Sequence, residues 1–382
     1  MRIVVDCLAA TTGGGVTYLR SLLGAVLAAD ESIELVFVAC SRDPLGDLSQ
    51  HARVRIVCPI GEAPATPRKL AWQLGSLGLA TGRLGGDVLF SPSELAPLRS
   101  TVPVVLGFQN PNLYDQPVRH ESRYQQLRLR LLLAGARVSA RRASAAVFVS
   151  EPFRRAVAER IPLDGVRQYV IEPGLDPIFT GARDTGEGFE ELQPYVLSVS
   201  DVYAYKNYPL LVDAFAALAR DDLRLVIAGL PFDRYAQRET EQRARANGIE
   251  DQVVMLGSVP RERMPGLYTR AECFVFPSLL ESFGFPPLEA MACGLPVACA
   301  RASVMPDLLG DAAEWFDGRD PTSCATALGV VLDDRDRRAA LVAKGKSLVS
   351  RFDWSRAGAA LVRVFDSVSR SERCPDAGGI EG

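Results

Sequence analysis

The chain has 382 residues, 48% of them hydrophobic and 23% charged, with a formal net charge of −3. A single core stops growing at roughly 250–300 residues, so two domains are expected, and the modest charge is ordinary for a soluble protein. No stretch approaches the ~18 uncharged apolar residues of a membrane-spanning helix, which excludes that class. The charge is uneven: residues 1–175 carry 20 Lys and Arg against 15 Asp and Glu, and residues 176–382 carry 23 against 31.

In chain order, short β-branched runs come first: RIVVDCL (2–8), IELVFVA (33–39), RVRIVCP (53–59), DVLFS (87–91), VPVVLGF (102–108), AAVFVS (145–150) and QYVIEP (168–173). They are continuous rather than alternating, the pattern of strands buried on both faces of a parallel sheet. Helical stretches such as VTYLRSLLGAVLAAD (16–30) lie between them, which predicts helices on both faces. The opening MRIVVDCLAA carries an acid and no long apolar core, so no signal peptide is expected.

The segment GLDPIFTGARDTGEGFEELQPY (174–195) is rich in Gly, Pro and acids and reads as a linker. The alternation then restarts with YVLSVS (195–200), LRLVIAGL (223–230), VVMLGSV (253–259), CFVFPS (273–278) and PVACA (296–300), and with helices near 207–220 and 233–247. The expected fold class is therefore α/β, two doubly wound Rossmann-like domains. The first covers 1–175, the linker 176–194 and the second domain 195–352. A helix over 353–370 returns toward the first domain, and 371–382 forms a disordered tail. Such sheets bind ligands beyond the carboxyl ends of their strands, so the site is expected in a cleft between the two halves. The eight cysteines form no CxxC pair and mostly sit in apolar runs, as buried reduced thiols of a cytosolic protein do.

Chemistry concentrates in PSLLESFGFPPLEAMACGLPV (277–297). A strand ends at CFVFPS and SLLESFGF is its exit loop. Pro286 and Pro287 suit the first turn of a helix, where a missing N–H costs nothing. Glu281 then falls in the loop and Glu289 in the helix's opening turn, both at the mouth of a strand. Loop N–H groups around Phe283, Gly284 and Phe285, with the helix start, can hold an anion such as phosphate. The carboxylates can accept hydrogen bonds from sugar or ribose hydroxyls. Alternatively Glu289 complements the helix dipole and Glu281 is a solvated loop acid.

This block resembles the E-x7-E signature of the retaining nucleotide-sugar glycosyltransferases of family four, which have the GT-B fold. The similarity runs on through YVLSVS, YKNYPLLVDAFAAL, LRLVIAG, VVMLGSVP and SVMPDLLGDAAEWFDGRDP, and more loosely through DCLAATTGGGVTYLRSLL and FVSEPFRRAV. It implies that Glu281 and the 283–285 backbone hold the donor sugar and its diphosphate, that Glu289 accepts from the ribose, and that Lys206 neutralises the leaving diphosphate. A fixed cation there stabilises developing charge; a plain surface lysine is the alternative. Ser200, Asn207 and Ser282 join this donor set. So do Gly14 and Gly15, which with Gly13 let backbone approach a ligand or simply make a tight turn.

The sequence departs from the family in places. Many relatives carry an arginine five residues before the lysine, where this chain has Asp201. Many have His-Asp after the strand VPVVLGF, where this chain has Gln109 and Asn110, amides suited to binding acceptor or donor hydroxyls. Arg123, Arg130, Arg137 and Arg141 are spaced along one helical face. They form either a solvated face or a patch for an anionic membrane or a phosphorylated, lipid-linked acceptor. Nucleic acid is not expected.

The resemblance thus implies transfer of a sugar from a nucleotide diphosphate to a hydroxyl acceptor such as a glycan or glycoconjugate precursor. Retention of configuration, no metal and no cofactor are expected, in the cytoplasm or peripherally at the inner face of its membrane. A nucleotide-sugar epimerase and a non-catalytic sugar-nucleotide binder are the competing readings.

Overall fold

The computed structural model describes residues 1–8, 14–115, 123–180 and 188–371. They form two α/β units, each built on one parallel sheet.

The first unit draws on Met1–Asp115, His120–Gly174 and Asp353–Gly382. Its strands are β1 (Arg2–Asp6), β2 (Glu34–Val38), β3 (Val54–Val57), β4 (Val88–Ser91), β5 (Val104–Phe108), β6 (Ala145–Phe148) and β7 (Arg167–Val170), in the order β3-β2-β1-β4-β5-β6-β7. β1 pairs in parallel with β2 on one side and β4 on the other, Val4 lying opposite Val36 and Leu89. The chain reverses direction of growth there, the switch point at which doubly wound sheets open a crevice.

The second unit, Leu175–Phe352, holds β8 (Tyr195–Val199), β9 (Arg224–Ala228), β10 (Val253–Gly257), β11 (Cys273–Phe276), β12 (Val297–Ala300) and β13 (Glu314–Phe316). Their order is β10-β9-β8-β11-β12-β13, with the switch point between β8 and β11. Val196, Leu225, Ile227, Val275 and Ala298 bury one sheet face against Leu211, Phe215 and Leu328 of the covering helices.

Burial explains why most strands are legible as apolar runs. β4, β5, β6, β11 and β12 are buried along their whole length, whereas the edge strands β3, β7 and β10 are only partly covered. β13 has just three residues, Glu-Trp-Phe, too short to show any pattern in sequence.

Helix Trp354–Ser371 packs on helix Gly14–Ala29 within the first unit. Gly358 permits the approach, since a Cβ there would come within 2.5 Å of the Ala25 backbone. Tyr18 and Trp354 meet with ring centroids 5.9 Å apart. Residues 176–180 pack inside the second unit: Phe179 is buried edge-on to Tyr268, and Asp176 receives the Arg261 guanidinium at 2.7 and 2.9 Å. The remainder of the expected tail, 372–382, lies outside the described residues. Among the described residues no helix is long and apolar enough to cross a membrane. Seven described cysteines are free thiols, of which Cys7, Cys273, Cys299 and Cys324 are buried.

Candidate functional site at a sheet switch point

The two loops flanking the second switch point come together. After β8 the chain makes a tight turn through Ala204–Lys206, then places Asn207 in the left-handed region at φ 59° before helix Tyr208–Ala217. Asparagine tolerates that conformation better than most residues. Its Nδ2 donates to the carbonyls of Gly318 (2.8 Å) and Pro277 (3.4 Å), tying this loop to the ends of β13 and β11. Leu279 N–H donates to the Tyr205 carbonyl at 2.8 Å.

This stitching brings Lys206 and Glu281 into contact: Nζ donates to Oε1 at 2.6 Å, with the side chains only 12% and 13% exposed. The ammonium also lies 5.3 Å from the Tyr205 ring centroid and 5.4 Å from that of Phe276. Ser303 holds the Glu281 backbone from both sides, its hydroxyl accepting from Glu281 N–H at 3.1 Å and donating to its carbonyl at 2.8 Å. A charge-assisted bond this short fixes both heads, leaving ammonium donors and a carboxylate oxygen to meet a ligand.

Beyond Ser282, Gly284 turns with φ 98° into helix Phe285–Ala292. A side chain there would be strained, and its Cβ would sit 2.4 Å from Met305 Cε. Phe283 is buried between Phe285 (5.1 Å) and Phe352 (5.5 Å), which anchors the turn.

The helix begins at Phe285, before the two prolines, so its first turn contains no acid. Glu289 therefore lies one turn further along than its expected place in the opening turn, out of reach of the helix-dipole role. Its Oε2 instead accepts from the buried Tyr268 hydroxyl at 2.8 Å. Burial raises the Glu289 pKa, an effect opposed by the Tyr268 bond and nearby Arg261 and reinforced by Asp176. Tyr268 and Arg261 lie in no motif, and only the packing of Pro260–Thr269 against the 285–292 helix reveals them.

Asp201, at the position of the missing arginine, accepts from Leu230 N–H at 2.9 Å and so joins the loops after β8 and β9. Ser200 Oγ lies 2.7 Å from the Tyr208 hydroxyl, which also donates to the Ser200 carbonyl at 3.1 Å. That contact bolts the strand end to the helix start.

In the first unit, Gly14 and Gly15 form the exposed start of helix Gly14–Ala29, and a Cβ on either would meet nothing within 4 Å. Gly13 lies outside the described residues. Gln109 and Asn110 follow β5. Gln109 Nε2 donates to the Pro92 carbonyl at 2.9 Å, and Asn110 Oδ1 accepts from Asn112. Both backbone N–H groups converge on one oxygen of Glu94, at 2.7 and 2.6 Å. Glu94 follows β4, is 7% exposed, and has φ 39°, a strained value for a residue with a side chain. Burial pushes its pKa up to about 7 despite those two bonds. At the first switch point Asp6 accepts from Gln73 at 2.6 Å, and burial raises it to about 6. Two lone acids in unrelated runs give no sequence signal of this.

Of the four arginines, Arg130 and Arg137 lie exposed on helix Arg123–Ala140, and Arg137 Nε donates to the Arg160 carbonyl. Arg141 falls just past the end of that helix. The helix carries no acid, and Leu127 and Leu131 on it are 56% and 64% exposed.

Residues 184–348 match the family model described as Glycosyl transferases group 1, so the second unit carries a domain of that group. The chain is similar to the D-inositol 3-phosphate glycosyltransferase of Xylanimonas cellulosilytica, 34% identical over 221 residues, 53% of this chain and 52% of that protein. It spans about half the length of the curated relatives that it matches. Among solved structures it is similar to sucrose-phosphate synthase from Thermosynechococcus elongatus, with a TM-score of 0.80 at 18% identity over 97% of this chain and 100% of that one. HepE from Anabaena, determined with UDP and glucose, gives 0.73 at 18% identity over 96% and 100%. The fold is GT-B, two Rossmann-like α/β domains.

Proposed function

We propose that the chain is a retaining glycosyltransferase that moves a sugar from a nucleotide-diphosphate sugar to a hydroxyl acceptor without a metal ion. The observation that carries this reading is the Lys206–Glu281 pair at the switch point of a group 1 domain. Breaking the sugar–diphosphate bond loads negative charge onto the leaving phosphate. A largely buried ammonium beside it supplies the stabilisation that a metal would otherwise give. Glu281 holds that ammonium and offers its other oxygen to a sugar hydroxyl, while Glu289 with Tyr268 serves the ribose. The departing phosphate oxygen takes the acceptor's proton on the same face of the sugar, so no side chain need act as nucleophile, and positioning does much of the work.

A further part of the reading concerns location. Exposed Leu127 and Leu131, set among arginines on an acid-free helix, suit the surface of an anionic membrane and hence a lipid-linked acceptor.

UDP, GDP, TDP and ADP sugars are ranked by the rise in melting temperature that each produces. The best donor is then incubated alone and with hydroxyl acceptors, in EDTA and in magnesium. Acceptor-dependent release of nucleotide diphosphate with the donor's anomeric configuration retained is expected, equally in both buffers. Conversion of the donor alone to an altered sugar nucleotide, or activity abolished by EDTA and restored by magnesium, would overturn it.

A further inference from the structure

Three aromatic rings stand in a row at the carboxyl ends of β8 and β9. Tyr203 stacks on Tyr205 with centroids 5.5 Å apart and planes within 8°, and on Phe232 at 5.7 Å and 5°. The Tyr205 end of the row touches the Lys206 ammonium. At its other end Phe232 is 47% exposed despite the stacking, and its neighbours Leu230 and Tyr235 are 42% and 63% exposed. Apolar side chains do gather on protein surfaces, but a contiguous group at the ligand-bearing end of a sheet marks a binding surface.

Two carboxylates border the row. Asp201 uses Oδ1 to hold Leu230 N–H, and Asp233 uses Oδ1 to cap helix Arg234–Ala246 through Tyr235 and Ala236 N–H. Among the described residues each keeps its Oδ2 without a hydrogen bond. Both act electrostatically on the Tyr203 hydroxyl, whose pKa is raised first by burial and then by Tyr205, Asp201 and Asp233. The surface therefore combines flat apolar rings with hydrogen-bond acceptors.

We propose that this row is a binding platform for a neutral saccharide, the acceptor glycan of the transfer proposed above. The negative faces of aromatic rings suit the C–H face of a pyranose, and Asp201 and Asp233 suit its hydroxyls. The same two acids disfavour a phosphate group or an anionic membrane on this patch. The row begins beside Lys206, so a saccharide along it directs its terminal hydroxyl toward the donor site. Asp201 in place of an arginine then has a purpose: it exchanges a phosphate-binding cation for a sugar-hydroxyl acceptor.

The identity of the acceptor rests on the transferase reading, but the platform can be tested without catalysis. The full chain is titrated with neutral tetrasaccharides of glucose, mannose, galactose and N-acetylglucosamine, followed by calorimetry and by NMR of labelled tyrosine and phenylalanine. At least one should bind, shift the Tyr203 and Phe232 resonances, and bind tenfold or more weakly to Phe232→Ala and Asp233→Asn, with nucleotide-sugar affinity unchanged. Failure of all four to bind, or equal binding by wild type and Phe232→Ala, overturns the platform while leaving donor binding as evidence for the transferase. Loss of nucleotide affinity in Phe232→Ala overturns it in favour of base stacking. Loss of sedimentation with phosphatidylglycerol vesicles in the same variant overturns it in favour of a lipid surface.

Discussion

Replacing Lys206 by methionine separates the structural and chemical roles of the cation. The side chain is nearly isosteric, so the perturbation is loss of the charge. Structurally, Glu281 then keeps a carboxylate that is 13% exposed with no cation at 2.6 Å. Removing one partner of a fully buried pair costs about 3–5 kcal/mol, and the residual solvent contact here brings that to roughly 2–3. For a unit of this size each kcal/mol moves the melting temperature by about 2–4 °C, so a fall of roughly 4–12 °C is expected. Chemically, a unit charge about 4 Å from the developing phosphate charge is worth about 4 kcal/mol at an effective dielectric near 20. Glu281 already offsets part of that, which leaves a loss in turnover of ~10²–10³-fold. The decisive variant is the double change Lys206→Met with Glu281→Gln. It removes the orphaned charge and should regain most of the melting temperature, yet remain as inactive as the single variant. Differential scanning calorimetry and steady-state transfer from the best-binding donor measure the two quantities. Recovery of activity together with stability in the double variant would refute a direct role for the ammonium, as would wild-type turnover in Lys206→Met.

Other outcomes are as specific. Gly284→Ala forces a Cβ onto φ 98° against Met305, which should cost about 1–2 kcal/mol and weaken donor binding by calorimetry; unchanged affinity would remove the turn from the site. Glu94, held near 7 when folded, keeps its proton where the unfolded chain has lost it, so its protonated form favours the folded state. Wild-type stability should thus fall relative to Glu94→Gln as pH rises from about 4.5 through 7, by roughly 3 kcal/mol in all, then level off. A pH-independent difference between the two melting curves counts against it. Leu127→Ser with Leu131→Ser should abolish sedimentation with anionic liposomes while leaving donor affinity intact; undiminished sedimentation would locate membrane binding elsewhere.

Much of this was legible from residue order alone. Parallel strands buried on both faces must be apolar throughout, so RIVVDCL and CFVFPS declare themselves wherever they occur. The β8 and β11 exit loops carry contiguously the residues proposed above to bind the donor, and so Lys206, Asn207, Glu281 and the Phe-Gly-Phe turn could be singled out in advance as candidates. The helix start was displaced because Phe285 extends the helix before its prolines, which moved Glu289 off the first turn.

Contacts between distant segments were settled by the tertiary structure. Lys206 and Glu281 are 75 residues apart, and nothing local predicts that their heads meet. Tyr268 reaches Glu289, Arg261 reaches Asp176, and Glu94 gathers two N–H groups from the next strand's exit, each from a run without a motif. Sequence order sets which residues alternate along a strand or share a helix face. Which strand ends become neighbours depends on sheet order. With β8 beside β11 a cation finds its carboxylate, and with β8 beside β9 three separate rings become one row.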